Sequence, residues 1–249
     1  MTVLELSEVK VHFGGVRAVD GVSFTVERGH LVGMVGPNGS GKSTTVNAIT
    51  RTAELTAGRI TFDGQDLRGV APHRLRRIGL VRTFQGIRLV PDLSVRDNVR
   101  LAAENDGTGR RWFRRNERRD SDPVADAVLE RLGLSEVRAE HPEALPYGTQ
   151  RRVEIARALA TEPTLLLLDE PVAGMNRAER GEIARILAEL RADGLTMLVI
   201  EHDLRMLLDL SDHLVVLDFG RVLAEGEPQA TAARPDVRRA YLGGAREHA

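Results

Sequence analysis

The strongest chemistry in this sequence lies in nine consecutive residues, Gly36-Pro37-Asn38-Gly39-Ser40-Gly41-Lys42-Ser43-Thr44. They fit the spacing G-x-x-x-x-G-K-[ST]. An apolar run precedes them and a helical pattern follows, which is the setting a phosphate-cradling loop requires. Gly36, Gly39 and Gly41 let the backbone turn its N–H groups onto phosphate oxygens. Pro37, Asn38, Ser40 and Thr44 complete the cradle. Lys42 is placed to neutralise the β- and γ-phosphates of a nucleotide, and Ser43 to ligate Mg²⁺. The chain has only two lysines, Lys10 and Lys42, and uses arginine elsewhere. A compact ammonium kept at position 42 indicates that a planar guanidinium does not serve there. The bland alternative is a glycine-rich turn, and the strand-to-helix context argues against it.

Further along, "LLLLDE" puts Asp169 at the end of an all-apolar run, with Glu170 next to it. At the carboxyl edge of a parallel sheet Asp169 would complete a Mg²⁺ shell. Glu170 would polarise an attacking water as general base. The competing reading makes the pair a helix cap ahead of Pro171. His202 follows another apolar run and could donate to a γ-phosphate. Gln85, in "RTFQG", could contact Mg²⁺ or the water. Phe13 could stack on a base, against the rival reading of a core strand residue. A second phosphate-suited stretch is "LPYGTQRRVEIARALA", Leu145 to Ala160, where Tyr147, Gly148 and Gln150 stand just ahead of a predicted helix.

The elements that must position these groups alternate. Val9, Val11 and Phe13, then Val22, Phe24 and Val26, follow the period of strands. Leu31–Val35 reads as a buried strand, and a helix is predicted from Lys42 to about Ile49. "ITFDGQDL" predicts a strand with a turn at Asp63-Gly64. From residue 86 to about 144 strand signals fade and charged helical stretches dominate. Strand and helix then alternate again: a helix from Arg151, a strand at Leu165–Asp169 and a helix from about Ala178 to Arg191. A strand at Thr196–Ile200, a helix at Leu204–Leu210 and a hairpin turning at Asp218-Phe219-Gly220 complete the series. The pattern predicts an α/β fold, a mostly parallel sheet covered on both faces. It predicts one domain over 1–249, with 1–85 and 150–249 as nucleotide-binding core and 86–149 as an inserted helical subdomain.

Bulk properties narrow the function. Hydrophobic residues make up 42% and charged residues 29%, and the formal net charge is −1, which gives no global electrostatic case for nucleic acid or an anionic membrane. With no cysteine, disulfides, thiol catalysis and Cys-ligated metals are excluded. No apolar run approaches the roughly 20 residues that span a bilayer. The start "MTVLELSEVK" has no charged-then-apolar signal pattern. A cytosolic protein is expected, held at a membrane, if at all, by something else. The interleaved arginines and aromatics of "GRRWFRRNERR", Gly109 to Arg119, are read as a solvated helical face rather than a nucleic-acid patch.

Taken in order, Gly36–Thr44, Gln85, Leu145–Gln150, "LLLLDEP", "AGMN" (Ala173 to Asn176) and His202 resemble the motif series of an ABC-type ATPase over essentially the whole chain. The forms "LPYG", "EPVAGMN" and "RPDVRRAYLGG" (Arg234–Gly244) look like the subfamily serving branched-chain amino-acid importers. The resemblance implies a P-loop NTPase core with N-terminal antiparallel strands and the signature loop at 145–150. It implies an ATP- and Mg²⁺-dependent hydrolase that powers an importer for branched-chain or other hydrophobic amino acids. Another small solute such as urea or an amide, or a soluble non-transport ATPase, is the alternative. It further implies a head-to-tail dimer with a second ATPase subunit, either a second copy or a paralogue. Each ATP would lie between one phosphate loop and the partner's signature loop, which is why one chain carries two such stretches. Integral membrane permease subunits and, indirectly, a substrate-binding protein are implied partners, with the chain peripheral on the cytoplasmic face of the cell membrane. Pro146 replaces a hydroxyl-bearing residue of the usual signature, and Thr149 stands where the subfamily has Gln.

Overall fold

The computed structural model describes residues 1–83, 86–104 and 121–243. Two long strands, β1 (Thr2–Phe13) and β2 (Val16–Glu27), pair antiparallel. β1 also pairs antiparallel with β4 (Ala57–Phe62), which folds back on the short β5 (Gln65–Asp66). This is the small N-terminal antiparallel sheet.

The larger sheet contains β3 (Leu31–Val35), β6 (Leu80–Arg82), β7 (Leu165–Asp169), β8 (Met197–Ile200), β9 (His213–Asp218) and β10 (Arg221–Gly226). Its order is β10-β9-β3-β8-β7-β6, and only the β9–β10 hairpin is antiparallel. Every residue of β3, β7 and β8 is buried, as expected where both faces of a parallel sheet are covered.

Successive side chains of these strands enter different layers. Val32, Met34, Leu165, Leu167, Leu198 and Ile200 join one apolar cluster with side chains of β1, β2 and β4 and of helix α1 (Lys42–Ile49). Leu31, Val35, Leu166, Leu168, Met197 and Val199 join the other. That layer is covered by α4 (Tyr147–Leu159), α5 (Arg177–Ala192) and α6 (Leu204–Leu210). The two-residue period of a strand is what divides "LLLLD" between them. Each fully buried leucine contributes about 1.5–3 kcal/mol. The run is therefore stable only between two covering layers, and its polar last residue lands at the sheet's edge.

Between β6 and β7 the chain forms α2 (Val95–Glu104), α3 (Ser121–Arg131) and α4, with no strand among the described residues of 86–149. Helix α4 crosses the boundary expected at 149/150 and begins at Tyr147 rather than Arg151. Pro146, at φ −55° and ψ 151°, caps it, and Gln150 N donates to Pro146 O at 3.0 Å. A proline just before the first turn gives up an N–H that had no helical partner to lose. Two unanticipated helices, α7 (Pro228–Ala233) and α8 (Pro235–Gly243), close the described chain, each entered through a proline. The arginine-rich stretch Gly109–Arg119 lies outside the described residues, as does Gln85. No helix among the described residues is long and apolar enough to cross a membrane.

Candidate nucleotide site

Strands β3, β8 and β7 are adjacent. Met34 pairs with Ile200, and Ile200 with Asp169, so the three residues lie level across the sheet. Their carboxyl ends therefore present three segments side by side: the loop after Val35, then Glu201-His202, then Asp169-Glu170. The carboxyl edge of a parallel sheet is where such folds bind ligands.

The loop holds its shape by backbone close approach. Gly41 has φ +100°, and a Cβ there would lie 2.5 Å from Ala18 O of β2. Gly39 has φ +80° with nothing within 4 Å of a Cβ, so its outer side is open for an anion. Lys42 is 7% exposed. Its Nζ donates to Gly36 O at 2.6 Å and Pro37 O at 3.0 Å. Burial draws its pKa below the ordinary lysine value, while the charges of Glu170 and Asp169 oppose that shift. The ammonium thus faces both carboxylates that the sequence assigns to the same chemistry. Ser40 is buried, with its Oγ lacking a hydrogen-bond partner, while Ser43 at the start of α1 is exposed.

Asp169 has a partner the sequence reading did not name. Arg82, the last residue of β6, donates from Nη2 to Asp169 Oδ2 at 2.7 Å. Its Nη1 donates to Asn47 Oδ1 at 2.9 Å and Thr50 Oγ1 at 3.1 Å, at the far end of α1. The only sequence hint was its place in "RTFQ". Glu170 has φ +48°, a left-handed conformation rare for a side chain of its type, and its N–H donates to Ile200 O at 2.9 Å. That bond fixes the turn carrying the side chain off the sheet edge. His202 stands exposed beyond β8.

The Tyr147–Gln150 group gathers elsewhere, against the start of α5. Gly148 N donates to Glu179 Oε1 at 3.3 Å, and Glu179 Oε2 accepts from Asn176 N at 3.0 Å as part of the α5 capping box. Gln150 Nε2 donates to Leu145 O at 2.9 Å. Arg151, fully buried, bonds Glu154 at 2.5 Å and the Tyr147 hydroxyl at 3.1 Å. Within one chain the signature stretch thus has its own platform, apart from the strand tips. Phe13 is 57% exposed at the end of β1. It is not a core residue, which removes the rival reading and leaves its ring available for stacking.

The donors suit a magnesium nucleotide. An exposed hydroxyl at Ser43 and a carboxylate at Asp169 are hard oxygen ligands, and Mg²⁺ characteristically takes one or two of these plus substrate phosphates. Among the described residues no group of three or more His, Asp or Glu side chains forms a self-sufficient metal cage. An ion bound mainly through phosphate needs none.

Residues 19–173 match the ABC transporter family. The chain is 40% identical to the high-affinity branched-chain amino acid transport ATP-binding protein BraF of Pseudomonas aeruginosa, covering 97% of this chain and 98% of that one. It superposes on the ADP conformation of MJ1267, an ATP-binding cassette of an ABC transporter, with TM-score 0.85 and 33% identity, over 98% and 99% of the two chains. A dimeric post-hydrolysis state of the ATP-binding cassette MJ0796 with ADP and Pi matches with TM-score 0.76 and 26% identity, over 90% and 98%.

Proposed function

This chain belongs to the ABC transporter family, and from that premise we propose that it is the ATP-binding, ATP-hydrolysing subunit of an importer for branched-chain or other hydrophobic amino acids. The observation that carries the reading is the row of three strand tips. Lys42, His202 and the Asp169-Glu170 pair come from separate parts of the sequence, and β3, β8 and β7 are consecutive in the sheet.

In this reading Gly36–Thr44 wraps the phosphates, Lys42 leaves its loop carbonyls for the β- and γ-phosphates, and Phe13 stacks on adenine. Ser43, Asp169 and Gln85 would hold Mg²⁺, which when bound neutralises phosphate charge. Glu170 takes a proton from the attacking water as it adds to the γ-phosphorus, and the bond to the ADP oxygen breaks. His202 donates to the γ-phosphate. The described helices of 86–149 act as a subdomain that moves when ATP closes a head-to-tail dimer, with Tyr147, Gly148 and Gln150 serving the partner's nucleotide. The dimeric post-hydrolysis state of the cassette MJ0796 with ADP and Pi supports the dimer. Closure is transmitted to membrane permease subunits, and the chain sits peripherally on the cytoplasmic face. A substrate-binding protein delivers the solute.

Uptake decides the cargo. Deleting the gene should abolish high-affinity import of leucine, isoleucine or valine. Normal uptake of all three, with a defect for urea or an amide, would reassign the solute and leave the ATPase reading intact.

A further inference from the structure

Glu201 lies between the two catalytic tips and has no part in the reading above. It is completely buried. Its N–H is bonded to Met34 O at 3.1 Å, which fixes the backbone against β3. One carboxyl oxygen, Oε1, accepts from Val172 N at 3.1 Å. The other, Oε2, has no hydrogen-bond partner and lies 3.6 Å from His202 Nδ1. That separation exceeds a hydrogen bond by about half an ångström, a gap that a small rotation of an exposed imidazole closes.

An apolar residue would fill this space more cheaply. Burial pushes the Glu201 carboxyl above the ordinary glutamate range, and the charge of Glu170 adds to the shift. The backbone N–H of Val172, any charge on His202 and the backbone N–H of His202 oppose it. A buried, half-satisfied carboxyl is costly, and such groups persist where they serve a site.

We propose that Glu201 is a positioning residue for hydrolysis: one oxygen holds the turn after Glu170 through Val172 N–H, and the other takes the Nδ1–H of His202. This rests on the reading of the site as an ATPase. The carboxylate sets which imidazole nitrogen carries the proton and aims Nε2 outward. With Nδ1–H given to the carboxylate, Nε2 donates to the γ-phosphate only as part of an imidazolium, its second proton being taken from solvent as the anion binds; the cation then lies between the Glu201 carboxylate and the phosphate. One side chain thus couples the general-base turn and the phosphate-sensing histidine.

The test uses the full chain with ¹⁵N-labelled histidine, the His202 signal being assigned by its loss in His202→Ala. Without nucleotide at neutral pH, His202 should carry its proton on Nδ1. In Glu201→Gln the amide oxygen keeps the Val172 bond and the amide NH₂ faces the ring, so the proton should move to Nε2. ATP turnover should fall about tenfold or more, the usual cost of losing such a supporting partner, with ATP affinity unchanged. Glu201→Gln/His202→Ala should be no slower than His202→Ala alone. A proton on Nε2 in the parent chain overturns the proposal, whether or not the variant folds. So do two turnover losses that multiply in the double variant. If the parent chain hydrolyses no ATP, the ATPase reading fails by itself, and the nitrogen spectrum still decides the role of Glu201.

Discussion

Arg82 and Asp169 stand on neighbouring strands, and the guanidinium of one holds a single oxygen of the other at 2.7 Å. The same guanidinium reaches Asn47 and Thr50, so it ties the end of α1 to the tip of β7. Both side chains are largely buried. Asp169 is therefore held in place, through one oxygen, by a cation of the chain itself.

Removing that cation strands a buried carboxylate. Arg82→Met should cost about 2–4 kcal/mol, toward the lower part of the range for a broken buried pair because neither side chain is wholly dry. Urea unfolding without nucleotide measures it. Saturating Mg·ATP should recover more stability in the variant than in the parent, since a second cation then faces Asp169. A loss below about 0.5 kcal/mol, the scale of an ordinary surface change, would show that the pair does not anchor the strand tip.

The phosphate loop should tolerate substitution unevenly. Gly41→Ala forces a Cβ onto Ala18 O at a positive φ, so it should lower stability by about 2–3 kcal/mol and abolish ADP binding. Gly39→Ala meets nothing and bears only the φ cost of about 1 kcal/mol. Thermal melts with ADP titration separate the two. Equal stability losses would place the constraint in the dihedral angle alone.

These contacts mark how far the sequence could be read. Lys42, Asp169, Glu170 and His202 were legible because each follows an apolar run, and the parallel sheet brings the ends of such runs to one edge. Arg82 was not, since an arginine after two apolar residues looks the same whether it meets solvent or a carboxylate two elements away. Glu201 was hidden for a similar reason: a carboxylate beside an exposed histidine reads as solvated, and only the strand order β3-β8-β7 buries it. The start of α4 was misplaced because Gly148 and Thr149 are weak helix formers, and the support for that first turn comes from another element, Gly148 N–H donating to Glu179 at the start of α5.

The buried Glu201 carboxyl makes a pH prediction of definite sign. Its folded pKa is raised above the ordinary 4.5. The native state therefore binds its proton more tightly than the unfolded chain, and its contribution to stability is full below about 4.5 and lost as pH rises through the folded value. Glu201→Gln should melt higher than the parent at pH 7–8, and the advantage should vanish toward pH 4. Melting curves across that range test it. A variant less stable than the parent at pH 8 would mean that the ionised carboxylate is a net stabilising group in the fold.

Loss of the base should separate binding from chemistry. Glu170→Gln should bind Mg·ATP like the parent and hydrolyse it about 10²-fold more slowly or worse. His202→Ala should lower turnover with little change in ADP affinity, because ADP lacks the group it meets. Equilibrium binding beside steady-state turnover resolves both. Parental turnover in Glu170→Gln would remove it as the base, and equal losses of ATP and ADP affinity in His202→Ala would mark that histidine as structural.

The signature stretch should act on a partner's nucleotide, and damage there should complement damage at Lys42. A Cβ at Gly148 would lie 2.9 Å from Cγ and Oε1 of Glu179 in the same chain. Gly148→Asp therefore sets a second carboxylate against Glu179 as well as against an incoming γ-phosphate, where like charges in a desolvated interface repel by several kcal/mol. A melting control comes first, because Glu179 also caps α5. Gly148→Asp and Lys42→Ala homodimers each contain two broken sites and should be inactive. In a mixed dimer one site combines both lesions. The other pairs an intact phosphate loop from the Gly148→Asp copy with an intact signature stretch from the Lys42→Ala copy. ATPase activity should therefore return on mixing, to no more than half the parental rate for a single working site. Crosslinking establishes that subunits have exchanged. Full activity in Gly148→Asp alone would show that Leu145–Gln150 meets no phosphate, and that its helix start serves only the Glu179 contact within its own chain.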